Sequence, residues 1–350
     1  VYRILVSCQG DLAVNLPQVT QELFEYTGPE PVVLDFYSQV VSLEHTGILS
    51  IIAEYKTKFP HRELWVDTPN RLEDHKLQAL GSDNCYSFPV CDQLLLCGKY
   101  WVSDPVEAVI GAKRFSYLAG RHSLARCAFS YILETENLNQ YFFLSNLQGG
   151  GPPSWRRPEI HISGYAIYES PGDWFRKSTD LQKLDEWYDQ WQPISVDNQT
   201  LQTQYYPNNT TRLNMVKLSK NWYADVVFET ATRGDVFFIT EKTIRSLIAE
   251  KPFIVYASKN HLAHMRDLGF QTFQSLWNED YDGKSLQKRH NAIVYLVKQL
   301  CAMPEDEFVD LMHQAQSITA HNKSNLKHLC IDYHGTATNW LQKCNQTTIG

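Results

Sequence analysis

The 350-residue chain has no run of about 18 consecutive apolar residues, the length that a membrane-crossing helix requires. Its opening, Val1 to Ser7, reads as a first β-strand and lacks the charged-then-apolar pattern of a signal peptide. Charge is sparse: Asp, Glu, Lys and Arg together make up 20% of the chain, with a net charge of −7. That balance excludes a disordered or solvating chain and argues against a surface built to coat a phosphate backbone. The eight cysteines, at positions 8, 85, 91, 97, 127, 301, 330 and 344, include no Cys-x-x-Cys pair, and their apolar neighbours point to buried free thiols rather than disulfides. Also missing are a Gly-x-x-x-x-Gly-Lys-Ser/Thr loop, a nucleophile elbow and a zinc-ligand spacing, which sets those enzyme classes aside. The cytoplasm of a bacterium or of a virus-infected host cell is the expected location. Five Asn-x-Ser/Thr sequons, at Asn198, Asn208, Asn209, Asn322 and Asn345, keep a secretory lumen as the alternative.

What the chain has in quantity is apolar and aromatic: 43% hydrophobic residues, with 9 Trp, 19 Tyr and 16 Phe. At this length such a composition supports two medium cores. Short β-rich runs at 2–7, 31–35 and 63–67 alternate with helical stretches near 17–26 and 43–59, which predicts a parallel sheet of βαβ units. Ligands of such sheets gather at the carboxyl ends of the strands, so Asp11, Asp35 and Asp67 are candidate site residues. Residues 105–134 read as one or two helices and 141–145 as a buried strand, and Gly149 to Pro153 is the expected domain junction. After a polar stretch with a helix at 181–191, a second series follows. It comprises a strand at 222–229, a helix capped by Thr240, a strand at 252–256, a short helix stopped by Gly269, and helices over 285–301, 305–321 and 325–342. The expected fold is α/β with two Rossmann-like lobes, 1–150 and 151–325. A helical C-terminal tail, 326–350, is expected to pack back on the first lobe.

The densest chemistry lies between Phe228 and Lys242, where Glu229, Arg233, Asp235, Thr240, Glu241 and Lys242 surround a strand end and a helix start. A helix N-terminus attracts anions through its free N–H groups, and Lys242 in the first turn adds a full positive charge where it does not favour the helix itself. That combination suits a diphosphate. Glu229 and Glu241 are candidates to accept hydrogen bonds from a sugar or ribose diol. A capped helix with surface charges would carry the same residues.

The segment resembles the donor-binding signature of the α1,3-fucosyltransferase family, glycosyltransferase family 10, in Phe228-Glu229 and in Ile239-Thr240-Glu241-Lys242 followed by a helix and a hydrophobic strand to Val255. Upstream, Phe142 to Asn146 followed by Arg156-Arg157 is similar to that family's strand, Ser-Asn and paired-arginine element. Thr230 and Phe238 depart from the family's Asn and Tyr, and the loop between Glu229 and Thr240 is longer, so the likeness concerns the reaction class and not the sugar. The run from Pro252 to Phe273 also resembles uncharacterised glycosyltransferases of phages and large viruses. The likeness implies two GT-B-like lobes, with the acceptor on residues 1–150 and a nucleotide sugar, GDP- or UDP-linked, on residues 151–325. It implies phosphate contacts from Arg156, Arg157 and Lys242, a nucleotide contact from Glu241, and inversion at the anomeric carbon.

Positive side chains can stabilise a departing diphosphate in place of a metal, so no metal and no resident cofactor are expected. The general base is expected among the carboxylates Asp11, Asp35, Asp67 and Glu63, with His61 behind them. Asp280-Tyr-Asp282 matches the Asp-x-Asp metal motif of other transferases but reads as a surface turn, and His261 and His264 read as a solvated helix face. A glycan acceptor is favoured over a modified DNA base. A nucleotide-sugar- or glycan-binding protein that has lost its base is the non-enzymatic alternative.

Overall fold

A computed structural model describes residues 2–6, 8–9, 13–36, 43, 47–67, 74–80, 108–109, 112–119, 123–146, 178–191, 216, 218–229, 232–233 and 236–329. The chain is α/β with parallel sheets. Strands β1 (Tyr2–Leu5), β4 (Val32–Asp35) and β5 (Leu64–Asp67) form one parallel sheet in the order β1-β4-β5. Helices α1 (Leu16–Glu25) and α2 (Ile48–Lys58) make the crossovers, and a small antiparallel pair, β2 (Cys8–Gln9) with β3 (Ala13–Val14), follows β1. The strand β4 is buried along its whole length, as expected of a strand covered on both faces. Ile4, Leu34 and Val66 meet Leu23 of α1 and Ile52 of α2 in one core. A helix α3 (Asp74–Ala79) follows β5.

A second parallel sheet is built from β6 (Lys113–Ala119), β7 (Phe142–Asn146), β8 (Trp222–Phe228) and β9 (Phe253–Tyr256), in the order β7-β6-β8-β9. Its core shares no member with the first. Helix α4 (Leu124–Thr135) joins β6 to β7, and α5 (Ser178–Gln190) leans on α4 through Tyr131 against Trp187 and through the Trp187 indole N–H donated to Glu134 at 2.9 Å. Helix α6 (Glu241–Ile248) joins β8 to β9, followed by α7 (His261–Asp267), α8 (Leu286–Ala302), α9 (Glu305–Gln314) and a further helix over 316–329.

The structure departs from the expected elements in two places, at 113–119 and at 315. Residues 113–119 form a central strand where a helix was expected, and the polar Arg114 and Ser116 that obscure its alternation are both buried by distant partners. The Arg114 guanidinium donates to the carbonyls of Leu300 and Cys301 at 2.6 and 3.1 Å and to Glu305, capping the C-terminal end of α8. Ser116 donates to Asp225 of β8. The second sheet therefore takes strands from both sides of Gly149–Pro153, so the expected boundary at 150 does not coincide with the division between the sheets. Among the described residues, β5 is the last strand of the first sheet and β6 the first strand of the second. The helix expected over 305–321 breaks at Ala315. Of the expected tail, 326–329 are helical with Leu326 in the second core, and 330–350 lie outside the described residues.

The turn after α7 shows how local signals reach this arrangement. Gly269 sits at φ 83°, its N–H bonds the Arg266 carbonyl at 2.8 Å and the Phe270 N–H bonds Met265 at 3.1 Å, the paired closure of a helix by a left-handed residue. The helix over 316–329 clamps this turn. Asn322 pairs both its amide groups with the backbone of Gln271 at 2.7 and 2.8 Å, and Asn325 donates to Leu268. Asn322 is thus a buried structural residue despite its sequon. Cys127 and Cys301 are free and buried, in line with the reading of these thiols.

Candidate functional site

Strand β8 alternates its two faces. Phe228 points to the face where Tyr117, Phe129, Tyr256 and His290 pack against it. Asp225 and Glu229, of opposite parity, face α6. Glu229 is 2% exposed at the carboxyl end of the strand. Its carboxylate accepts from the Thr240 N–H at 3.2 Å, from the Thr240 hydroxyl, and from the Thr243 hydroxyl at 2.5 Å. Thr240 in turn caps α6, accepting from the Lys242 N–H at 3.3 Å, and the Lys242 ammonium lies 3.4 Å from the same hydroxyl. An anion at a helix N-terminus is favoured by the helix dipole, and here the anion belongs to the protein.

The strand order places this junction at a particular point. The chain leaves β6 through α4 for β7 on one side, then returns to add β8 and β9 on the other, so the order reverses between β6 and β8. In open parallel sheets, ligands bind outside the carboxyl ends of the strands at such a reversal. Two helix N-termini, those of α4 and α6, follow the strands on either side of it. Two buried arginines also stand at this edge. Arg126, in the first turn of α4, donates to the carbonyls of Phe228 at 2.7 Å and Glu229 at 3.1 Å. Arg289 of α8 donates to Thr232 at 3.3 Å and to Ala257, at the end of β9, fixing the loops after β8 and β9.

The expected site residues are thus partly assembled. Glu229, Thr240 and Lys242 come together, and Arg233 lies half-buried in the loop that joins them. Glu241 is the first residue of α6, with its side chain outside the description. Glu229, expected to hold a diol, accepts three hydrogen bonds from Thr240 and Thr243 and so braces the start of α6. In the first sheet Leu5, Asp35 and Asp67 are register partners, which brings Asp35 and Asp67 side by side at the carboxyl ends of β4 and β5. Asp35 accepts from Arg3 at 3.2 Å. Asp11, Arg156, Arg157, Thr230 and Asp235 lie outside the described residues.

Asp282 is not free for a metal. Its two oxygens accept the Leu262 and Ala263 N–H groups at 3.0 and 3.1 Å and so cap α7. Among the described residues no group of three or more His, Cys, Asp and Glu is placed to hold a metal ion. His261 is buried, contrary to a solvated face, and desolvation pushes its pKa down to about 4. His290, equally buried, is pushed down to about 3 by the same cause. Arg126, Arg289, His290 and Asp225 escaped the sequence reading. Asp225 had a signal, a lone carboxylate inside the apolar run of β8, whereas the other three sit in amphipathic helices that offer none.

No protein-family model, no curated protein and no solved structure matches the chain. Among the described residues no helix is long and apolar enough to cross a membrane.

Proposed function

We propose that the chain is a glycosyltransferase that moves a sugar from a nucleoside-diphosphate donor to an acceptor hydroxyl, inverting and without a metal, on two Rossmann-like, GT-B-like lobes. The observation that carries this reading is the capped N-terminus of α6, with Lys242 in its first turn, at the reversal of strand order beside β8. The Thr240 and Lys242 N–H groups are committed within the cap, so what suits a diphosphate at that point is the dipole of α6 together with the Lys242 ammonium. In the transition state negative charge builds on the leaving diphosphate, and donors already held in place stabilise it without reorganisation. The buried guanidinium groups of Arg126 and Arg289 add positive potential to the same edge, while Arg156 and Arg157 enter through the family likeness alone. The acceptor hydroxyl needs a base, and Asp35 and Asp67, register partners at the carboxyl ends of β4 and β5, are its candidates.

The test compares melting temperatures with GDP, UDP, CMP and dTDP side by side, since a ligand of the native state raises the melting temperature by mass action. One of the diphosphates is expected to stabilise the parent, and Lys242→Ala is expected to remove most of that gain while leaving the unliganded melting temperature close to the parent's. If none of the four nucleotides stabilises the parent, the reading is wrong.

A further inference from the structure

We infer that Asp225 is a positioning residue for the donor-phosphate site, an inference that rests on the reading just given. Asp225 lies in the middle of β8, three residues before its carboxyl end, and is fully buried. Its carboxylate accepts the hydroxyl of Ser116 from β6 and the hydroxyl of Ser246 from α6, the latter at 2.5 Å, and pairs with Arg245 of α6 at 3.6 Å. Four residues along the same face of the strand, Glu229 holds Thr240 and Thr243. Helix α6 runs back along β8, so the two carboxylates grip it at both ends of its buried stripe, Thr240, Thr243 and Ser246. Four residues of strand span about 13 Å, longer than the roughly 9 Å between residues 240 and 246 of a helix, so the two grips bracket the helix along its axis.

An apolar stripe would bind α6 to the sheet with less desolvation. Replacing buried ionic groups by apolar ones of similar volume is often neutral or stabilising, so stability does not account for Asp225. Apolar contacts are non-directional and allow a helix to slide or roll, whereas hydrogen bonds to one carboxylate fix both rotation and translation. The dipole of α6 and the Lys242 ammonium act on the diphosphate only when aimed within a fraction of an ångström, and supporting residues provide that aim. Asp225 sets the lower end of α6, and with it the place of the upper end.

The experiment uses Ser116→Ala/Asp225→Val/Ser246→Ala, which replaces the polar grip by an apolar one, alongside Asp225→Asn, Ser246→Ala and Lys242→Ala. Dissociation constants for GDP and UDP are measured by calorimetry, and unliganded melting temperatures by scanning. The triple variant leaves Arg245 without its partner and is expected to melt below the parent, while its folded form binds the nucleotide at least tenfold more weakly. Asp225→Asn, which keeps hydrogen bonds to both hydroxyls, is expected to stay within about threefold of the parent. A purely structural role would move the melting temperature and leave the affinity of the folded protein alone. A folded triple variant that binds within twofold of the parent overturns the inference. If the triple variant does not fold, Ser246→Ala carries the test, and parent-like affinity in it has the same meaning. Weak binding by Lys242→Ala with parent-like binding in the triple variant and in Ser246→Ala rejects the inference and keeps the donor site. A parent that binds neither GDP nor UDP overturns both.

Discussion

The Thr243 hydroxyl donates to the buried carboxylate of Glu229 across 2.5 Å, tying the first turn of α6 to the end of the strand that precedes it. Removing that carboxylate leaves a backbone N–H and two hydroxyls without their acceptor. Glu229→Ala is therefore expected to lower unfolding free energy by about 2–4 kcal/mol, as buried polar groups lose charge-assisted partners. Glu229→Gln, which keeps one acceptor oxygen, should lose less. Urea titration followed by circular dichroism ranks the two, and equal stability of parent and Glu229→Ala would remove the bracing role.

Acid should loosen the second core through its histidines. His261 and His290 have folded pKa values of about 4 and about 3 against 6.5 for the free side chain, both lowered by desolvation. Between pH 6.5 and those values the unfolded chain binds the extra protons, so stability rises with pH across this window and is lost as pH falls through it. Each histidine contributes a slope of up to about 1.4 kcal/mol per pH unit. His290→Leu should flatten the curve between pH 4 and 6, measured by urea midpoints at each pH. A curve as steep as the parent's would show that His290 is not held neutral.

Asn322 should carry no glycan on the folded protein even where the other sequons are modified, because its amide is committed to Gln271. Peptide mass spectrometry after expression in a secreting host reads the occupancy directly. Asn322→Ala should cost about 1–3 kcal/mol by leaving the Gln271 backbone groups unmatched. A glycan at Asn322 in protein with native stability would contradict the clamp.

The thiols of Cys127 and Cys301 should resist modification until the protein opens. Burial pushes the Cys301 thiol up to about 12, so almost no thiolate exists at pH 8. Iodoacetamide labelling with peptide mapping should find both residues unmodified in the native state and modified in urea. Rapid native labelling of either would place it at the surface.

How far the sequence was legible depended on where each residue's partners lie. Strands β4, β5 and β9 were plain because runs such as Val32 to Asp35 bury themselves on both faces. The Thr240 cap and the Gly269 stop were plain because helix ends are settled within a few residues. Strand β6 was not: Arg114 and Ser116 look like surface residues until Leu300, Glu305 and Asp225 are brought to them. The same distance effect turned Glu229 from a candidate ligand into a helix brace, and Asp282 from a turn residue into the cap of α7. Composition and periodicity report what a residue can do locally, and these residues spend their polar groups on segments that no local pattern names.

The reach of Arg114 has a bearing on the order in which the chain becomes structured. This side chain is completed by residues 186 to 191 positions later, and β6 itself must wait for β8 before it becomes an inner strand. Contacts of such separation form slowly, since a long loop must close before any of them is made. During synthesis the first sheet, whose strands are joined by short crossovers, can assemble soon after residue 67 has emerged. Strands β6 and β7 remain unsatisfied until the ribosome has delivered β8, and the Arg114 joint stays open until residue 305 is out. A nascent chain stalled between those points holds Phe115 without Phe308 against it and Arg114 without its acceptors, an open edge of the core of the kind that invites aggregation.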